Sequence, residues 1–160
     1  MKTILLTILL ALAISGLSYG QKASTRASAK TCSKRHALYF ELGGTGVYRS
    51  FNYNRIIPLT DKTDFVAGIG YSRLFGQGGG LFLKSNVLIG GPRHCLEWGI
   101  EYEVSQQLLI PSISYRYQGP NGILIRVTAM YLYKQASVYY AGGPVWFGVS
   151  LGYSFNHFTV

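Results

Sequence analysis

The chain has 160 residues and a formal net charge of +9, from 15 Lys and Arg against 6 Asp and Glu. That is room for one domain, and after the first twenty residues no apolar run is long enough for a membrane helix. The basic excess would suit nucleic acid or anionic lipid, yet no nucleic-acid motif or phosphate-cradling loop accompanies it. The Gly-rich Gly76-Gln77-Gly78-Gly79-Gly80 lies between two strand patterns and opens no helix, so it reads as a turn.

In chain order, Met1-Lys2, an apolar core over residues 3–17, and small residues at Ser18 and Gly20 predict a secretory signal cleaved after Gly20. Residues 21–36 carry Lys22, Arg26, Lys30, Lys34 and Arg35 with no acid. This stretch cannot bury a core and is expected to be a flexible basic arm, read as a solvated tether ahead of a contact with anionic envelope material. Residues 37–160 form the remaining domain.

Eight strands are predicted in that domain, over 37–43, 47–57, 65–74, 81–89, 95–104, 109–118, 123–133 and 145–155, and no segment has a helical period. The fifth shows the pattern most plainly. Leu96, Trp98, Ile100, Tyr102 and Val104 alternate with Cys95, Glu97, Gly99, Glu101 and Glu103. A period of two over about ten residues fits a tilted strand crossing a bilayer. The connections are turn chemistry, as in Gly90-Gly91-Pro92-Arg93 and Gly119-Pro120-Asn121-Gly122. Pro111 is awkward inside the sixth strand, tolerable only near a rim.

One face of this set is apolar and aromatic; the other is rich in Gly, Ser, Asn and charge. A soluble lipocalin-like barrel would put the apolar face inside, and an outer-membrane barrel would put it outside. The inside of an eight-stranded barrel has little room, so the small polar face belongs there. Lys84, the only Lys in any predicted strand, agrees, because a solvated outer face would carry more. Tyr71, Tyr102, Tyr131 and Tyr133 fall toward one rim, and Tyr53, Tyr115, Tyr117 and Tyr153 toward the other, like two aromatic girdles. The expected fold is all-β, an eight-stranded antiparallel up-and-down transmembrane β-barrel.

Glu41-Leu42-Gly43-Gly44, Phe51-Asn52-Tyr53-Asn54-Arg55, Gly68-Ile69-Gly70-Tyr71 and Gly148-Val149-Ser150-Leu151-Gly152-Tyr153-Ser154-Phe155 resemble barrel proteins of Bacteroidetes. The whole mature chain is similar to the small eight-stranded outer-membrane barrels of the OmpX and OmpA-transmembrane-domain type, within the porin-like superfamily. The resemblance implies the Gram-negative outer membrane and an amino terminus in the periplasm. It also implies a closing aromatic read during assembly, either Phe155 or Phe158. It is nearly silent on activity.

The function expected is structural or surface-interacting, in a monomer with outer-membrane lipid, including lipopolysaccharide, as its surroundings and no assigned protein partner. A small pore or ligand conduit is the alternative, and a lipid A-modifying enzyme a further one. Enzymes of that kind keep catalytic His and Ser near the outer leaflet. Here His36, His94 and His157 fall at periplasmic ends, and none has a Ser two residues on. No cofactor is expected, and the three separate His and two Cys show no metal-ligand spacing. Cys32 and Cys95 are exported to an oxidising compartment, which leaves a disulfide between them open. Two free thiols in the mature protein would exclude it.

Two clusters follow from the predicted registers. Arg49 and Arg73 break the apolar face and lie opposite one another across the turn near Asp61, a possible contact for a lipid phosphate or for independent snorkelling into headgroups. On the inner face, Glu97, Glu101, Lys84, Arg116 and Arg126 form a structural charge network that plugs the lumen. The turn positions predict Glu97 opposite Arg116, Ser114 opposite Arg126, and Lys84 opposite Gly99, with Gly99 as the side-chain-free hub and Ser114 on its other side.

Overall fold

The computed structural model describes residues 34–44, 49–73, 79–105, 107–132 and 144–156. The segment expected to be a signal sequence, Cys32 and most of the arm, and Val47, Leu74, Tyr133, His157 and Phe158 lie outside those residues, as does the side chain of Arg73. The strands are β1 (His36–Gly43), β2 (Arg49–Pro58), β3 (Thr63–Arg73), β4 (Gly79–Gly90), β5 (His94–Glu103), β6 (Leu108–Gln118), β7 (Ile123–Tyr131) and β8 (Val145–Phe155). Each pairs antiparallel with its sequence neighbours, and β1 pairs with β8 to close the barrel. Closure leaves no strand edge unpaired around the sheet.

Most strand boundaries lie within two residues of the sequence reading, and three of the differences are informative. His36 belongs to β1 and not to the arm: it pairs with Arg55 and Phe155, and the backbone N–H of Ile56 donates to Arg35 O at 2.7 Å. β3 starts at Thr63, whose carbonyl accepts from the N–H groups of Leu59 and Thr60 in a tight turn. Gly79 and Gly80, read as turn, are the first residues of β4 and pair with Arg73 and Ser72.

The connections sort by end. At one end, together with the start of β1 and the end of β8, lie the turns at 59–62, 91–93 and 119–122; at the other lie 44–48, 74–78, 104–107 and the long 132–144. We call these the turn end and the loop end. Pro111 faces outward one residue beyond the last β6–β7 rung, Ser112 opposite Met130, which is the rim position a strand Pro needs.

Turn chemistry corrects the predicted registers. The β2–β3 ladder is as expected, with Ser50 opposite Ser72 and Pro58 opposite Asp64. The β4–β5, β5–β6 and β6–β7 hairpins are each displaced by two residues. Lys84 stands opposite Glu101, Glu97 opposite Ser114, and Arg116 opposite Arg126. In the β4–β5 turn Gly91 N–H donates to His94 O at 3.0 Å, which puts Pro92 second in the turn, where its fixed φ fits. In the β6–β7 turn Gly122 N–H donates to Gly119 O at 3.0 Å and Gly122 has φ +95°, so Pro120 again takes second place and the left-handed Gly122 follows. In the β5–β6 connection it is Gln107 that takes positive φ, 55°, immediately before β6. A two-residue slip preserves which face each side chain takes, so the assignment of inside and outside survives the correction.

Large side chains such as Phe40, Phe51, Trp98, Tyr115, Phe147 and Leu151 point outward and are exposed. The inner face is not simply small. Several inward side chains in the middle layers have a Gly in a cross-strand position: Gly70 opposite Asn52, Gly68 between Asn54 and Lys84, Gly99 opposite Asn86, Gly152 opposite Tyr39. Alternating large and absent side chains is how a narrow barrel fills without overpacking. Above and below the charged layers the lumen carries apolar clusters, which the sequence reading missed, beside buried Asp64, Gln118 and Ser154 at the turn end and Ser72 and Glu103 at the loop end. Ile56, Val66, Leu88 and Cys95, together with Ala37, Tyr39 and Leu124, close the turn end. Phe82, Ile110, Met130 and Leu132 close the loop end, with Leu108 and Trp146 packed against them.

Gly99 is therefore a spacer and not the hub of the charge network. A Cβ there would lie 2.6 Å from Asn86 Cα and collide with Asn86 Oδ1 and Ser85 O. Two of those atoms are backbone and cannot swing away. Gly99→Leu is expected to abolish assembly, read as loss of the faster-migrating unboiled band on a gel; a fully stable Gly99→Leu barrel would contradict this packing.

Candidate functional site

The middle of the lumen holds three carboxylates and three cations. Glu41 comes from β1, Glu97 and Glu101 from β5, Lys84 from β4, Arg116 from β6 and Arg126 from β7. Their formal charges cancel. All six have side chains with no solvent exposure. Each reaches the axis because strand alternation turns it inward and a Gly or Ser beside it leaves room.

Arg126 is the centre. Nη1 donates to the Tyr39 hydroxyl at 2.9 Å and lies 3.7 Å from Glu41, while Nη2 donates to Glu101 at 3.3 Å and lies 3.7 Å from Glu97. Lys84 Nζ lies 3.0 Å from Glu101 and 3.6 Å from Glu41. Both cations approach the Tyr39 ring at 5.5 Å, one from each of two strands, within range of its quadrupole. Arg116 lies 3.6 Å from Glu97. The cross-strand pair Arg116 and Arg126 would repel each other, but Glu97 contacts both.

Neutral groups complete the carboxylates. Glu41 accepts from Ser50 and Ser150 at 3.3 and 3.2 Å, and Glu97 accepts from Asn86 at 2.7 Å. Ser112 reaches Glu101 at 3.5 Å. Pairing is what makes this buried charge tolerable; Lys84 Nζ, Glu97 Oε2 and the Arg116 guanidinium are held by ion-pair contacts without a hydrogen bond.

The sequence reading named five of the six members, Glu97, Glu101, Lys84, Arg116 and Arg126, and the structure brings them together. It missed Glu41 as a partner and Tyr39 as the ring beneath both cations. Glu41 meets Lys84 and Arg126 across the barrel, from a strand adjacent to neither. Hairpin logic finds only adjacent strands, so the sole available signal was that Glu41 faces inward.

The other predicted positions lie apart. Arg49 is exposed at the loop end of β2, opposite Leu42, and Arg73 ends β3 opposite Gly79. The Ser50–Ser72 rung, one residue away, sets the two at the same level, as the register reading required. Cys95 is buried at the turn end, and its Sγ donates to Gly91 O at 3.1 Å; Cys32 lies outside the described residues. His36 and His94 open β1 and β5 at the turn end.

No protein-family model matches the chain, and no curated protein sequence matches it. Among solved structures, the chain is similar to a de novo designed protein, TMB2.3, determined by solution NMR. The two are 11% identical with a TM-score of 0.48, over 78% of this chain and 96% of that one.

Removing Arg126 strands Glu41, Glu97 and Glu101 among too few cations. Arg126→Ala is expected to lower unfolding stability in lipid vesicles by about 3–5 kcal/mol, the usual cost of leaving a buried ion unpaired. Adding Glu101→Gln to that variant should recover part of the loss, since it deletes one stranded charge. Urea titration read by the unboiled gel band measures both.

Proposed function

We propose that the chain is an outer-membrane β-barrel protein with a structural or surface-interaction role and a lumen plugged by its charge network. One observation carries the reading: the inverted sorting of the closed barrel. Its outward band is aliphatic and aromatic, while the ionised groups of the middle layers are buried inside. Water would penalise so large an exposed apolar surface, which on a soluble monomer rarely exceeds a few hundred Å² in one patch. Hydrocarbon would favour it. Exposed Tyr71 and Tyr131 toward the loop end, and Tyr115 and Tyr153 toward the turn end, support interfacial girdles.

Short turns with both strand termini at one end, and longer connections at the other, fit a periplasmic turn end and an external loop end. The finer likeness to the OmpX and OmpA type and to Bacteroidetes barrels, the cleaved signal and the monomeric state belong to the same reading. So does the lipopolysaccharide-phosphate contact at Arg49 and Arg73, which stand at the level where those phosphates would be. The network and its apolar seals favour a closed barrel over the small pore. His36 and His94 at the turn end count against a lipid A-modifying enzyme, whose chemistry belongs at the other leaflet.

The wild-type protein is expected to fractionate with the outer membrane, to migrate faster unboiled than boiled, and to show negligible conductance in planar bilayers. A soluble periplasmic protein without the gel shift would sink the reading. A large steady conductance would promote the pore, and turnover of lipid A the enzyme. Changing Arg49 and Arg73 together to Gln is expected to weaken lipopolysaccharide binding; unaltered binding removes that contact.

A further inference from the structure

The turn end repeats one arrangement on opposite sides of the barrel. His36 opens β1, and its Nδ1 lies 2.7 Å from the hydroxyl of Tyr53 on β2. His94 opens β5, and its Nδ1 lies 2.6 Å from the hydroxyl of Tyr115 on β6. In both pairs the Tyr sits two residues inward of the rung opposite the His, which is Arg55 for His36 and Tyr117 for His94. The imidazoles are also held by rings: His36 stacks on Phe155 at 5.4 Å and His94 tilts against Tyr117 at 5.2 Å. β1 and β5 are four strands apart in a closed barrel of eight. Both His face outward, at the collar where the apolar band ends.

Orientation of a ring nitrogen by a hydroxyl sets the chemistry of the other nitrogen. Where Tyr53 donates into Nδ1 of His36, the ring proton resides on Nε2. Where the ring is doubly protonated, Nε2 again carries a proton. Both of these forms offer an N–H donor at the collar, whereas the neutral tautomer in which Nδ1–H donates to the Tyr hydroxyl leaves Nε2 an acceptor.

Exposed cations stand at the same end as both rings. Arg55 is exposed and directly opposite His36, and Lys34 lies two residues before it, with Nζ 5.6 Å over the Tyr153 ring and donating to Pro120 O at 3.0 Å. Arg93 is exposed beside His94. Arg35 and Lys62 add to this end, where Asp61 is the one exposed acid among the described residues. A planar guanidinium, an imidazole N–H and an aromatic floor are the groups that hold a phosphodiester whose tails run along an apolar wall.

We infer that the collar carries two headgroup sites for anionic phospholipid, one formed by His36, Arg55 and Tyr53 and the other by His94, Arg93 and Tyr115. The inference rests on the outer-membrane reading, which puts this end at the inner, phospholipid leaflet. His36, His94 and the Arg residues contact the phosphate; Tyr53 and Tyr115 are positioning residues that act through the imidazoles.

The test is native mass spectrometry of the folded full-length mature protein in detergent, with phosphatidylglycerol and phosphatidylcholine of equal chain length as probes. Wild type is expected to prefer phosphatidylglycerol. His36→Gln with Arg55→Gln, and Arg93→Gln with His94→Gln, should each weaken it roughly fivefold per cation removed, leaving phosphatidylcholine unchanged. Tyr53→Phe with Tyr115→Phe should weaken phosphatidylglycerol selectively although every cation remains, which a diffuse basic surface would not do. Excess inorganic phosphate should fail to displace the lipid; full displacement would overturn the lipid assignment in favour of a soluble phosphate. An unchanged preference in the fourfold His and Arg variant, with its gel shift intact, would overturn the sites while sparing the membrane reading. Loss of the gel shift in wild type would defeat both.

Discussion

Arg126 lies within 3.7 Å of three carboxylates from two strands and hydrogen-bonds a tyrosine from one of them. β7, where it originates, is adjacent to neither β1 nor β5. Its side chain is thus a strut across the barrel, tying opposite walls that backbone ladders connect only by going around. Lys84 makes a second strut from β4 to β1. Apolar clusters at both ends keep water from these contacts, and the low dielectric between them strengthens each attraction while raising the cost of any missing partner. A network that cancels formally among its six members is the composition such a chamber tolerates.

That chamber also explains where the glycines are. An eight-stranded barrel has no spare radius. A Lys crossing the axis, and the Asn and Tyr packed around the network, are accommodated by wall residues of almost no volume beside them, while Arg126 has the small Ser150 on one side. Gly68, Gly70, Gly99 and Gly152 occupy those places, and a Cβ at any of them would meet a neighbouring side chain or the backbone. The Gly content and the buried charge are two aspects of one packing solution.

Much of this was legible from alternation alone. Period two fixed the facing of Glu97, Glu101, Lys84, Arg116 and Arg126, and face survives any slip by an even number of residues. Register was less legible because it hangs on which turn residue takes which φ. Moving Pro92 and Pro120 into the second turn position shifts the ladders from the midpoints that the Gly and Pro runs suggest. Contacts through the lumen were not legible at all. Glu41 and Tyr39 join the network from a strand whose second neighbour, β8, is the far end of the chain, with no turn to set their pairing. The apolar seals were hidden for another reason: Val66, Phe82, Leu88 and Met130 resemble lipid-facing residues in type, and only their parity marks them as inward.

An interior filled around a charge-balanced network restricts where this barrel can meet other molecules. No group of the charge network is available to a ligand without breaking an ion pair that the fold uses. Recognition therefore falls to the wall and the two rims. The wall offers hydrocarbon contacts with little chemical selectivity, interrupted by few polar atoms. The rims differ: the loop end presents Arg49, while the turn end presents His36 and His94 already fixed by neighbouring rings. Fixed donors lose less entropy on meeting a ligand than free ones. The rigid collar is thus better suited than the loop end to a small ligand of constant shape.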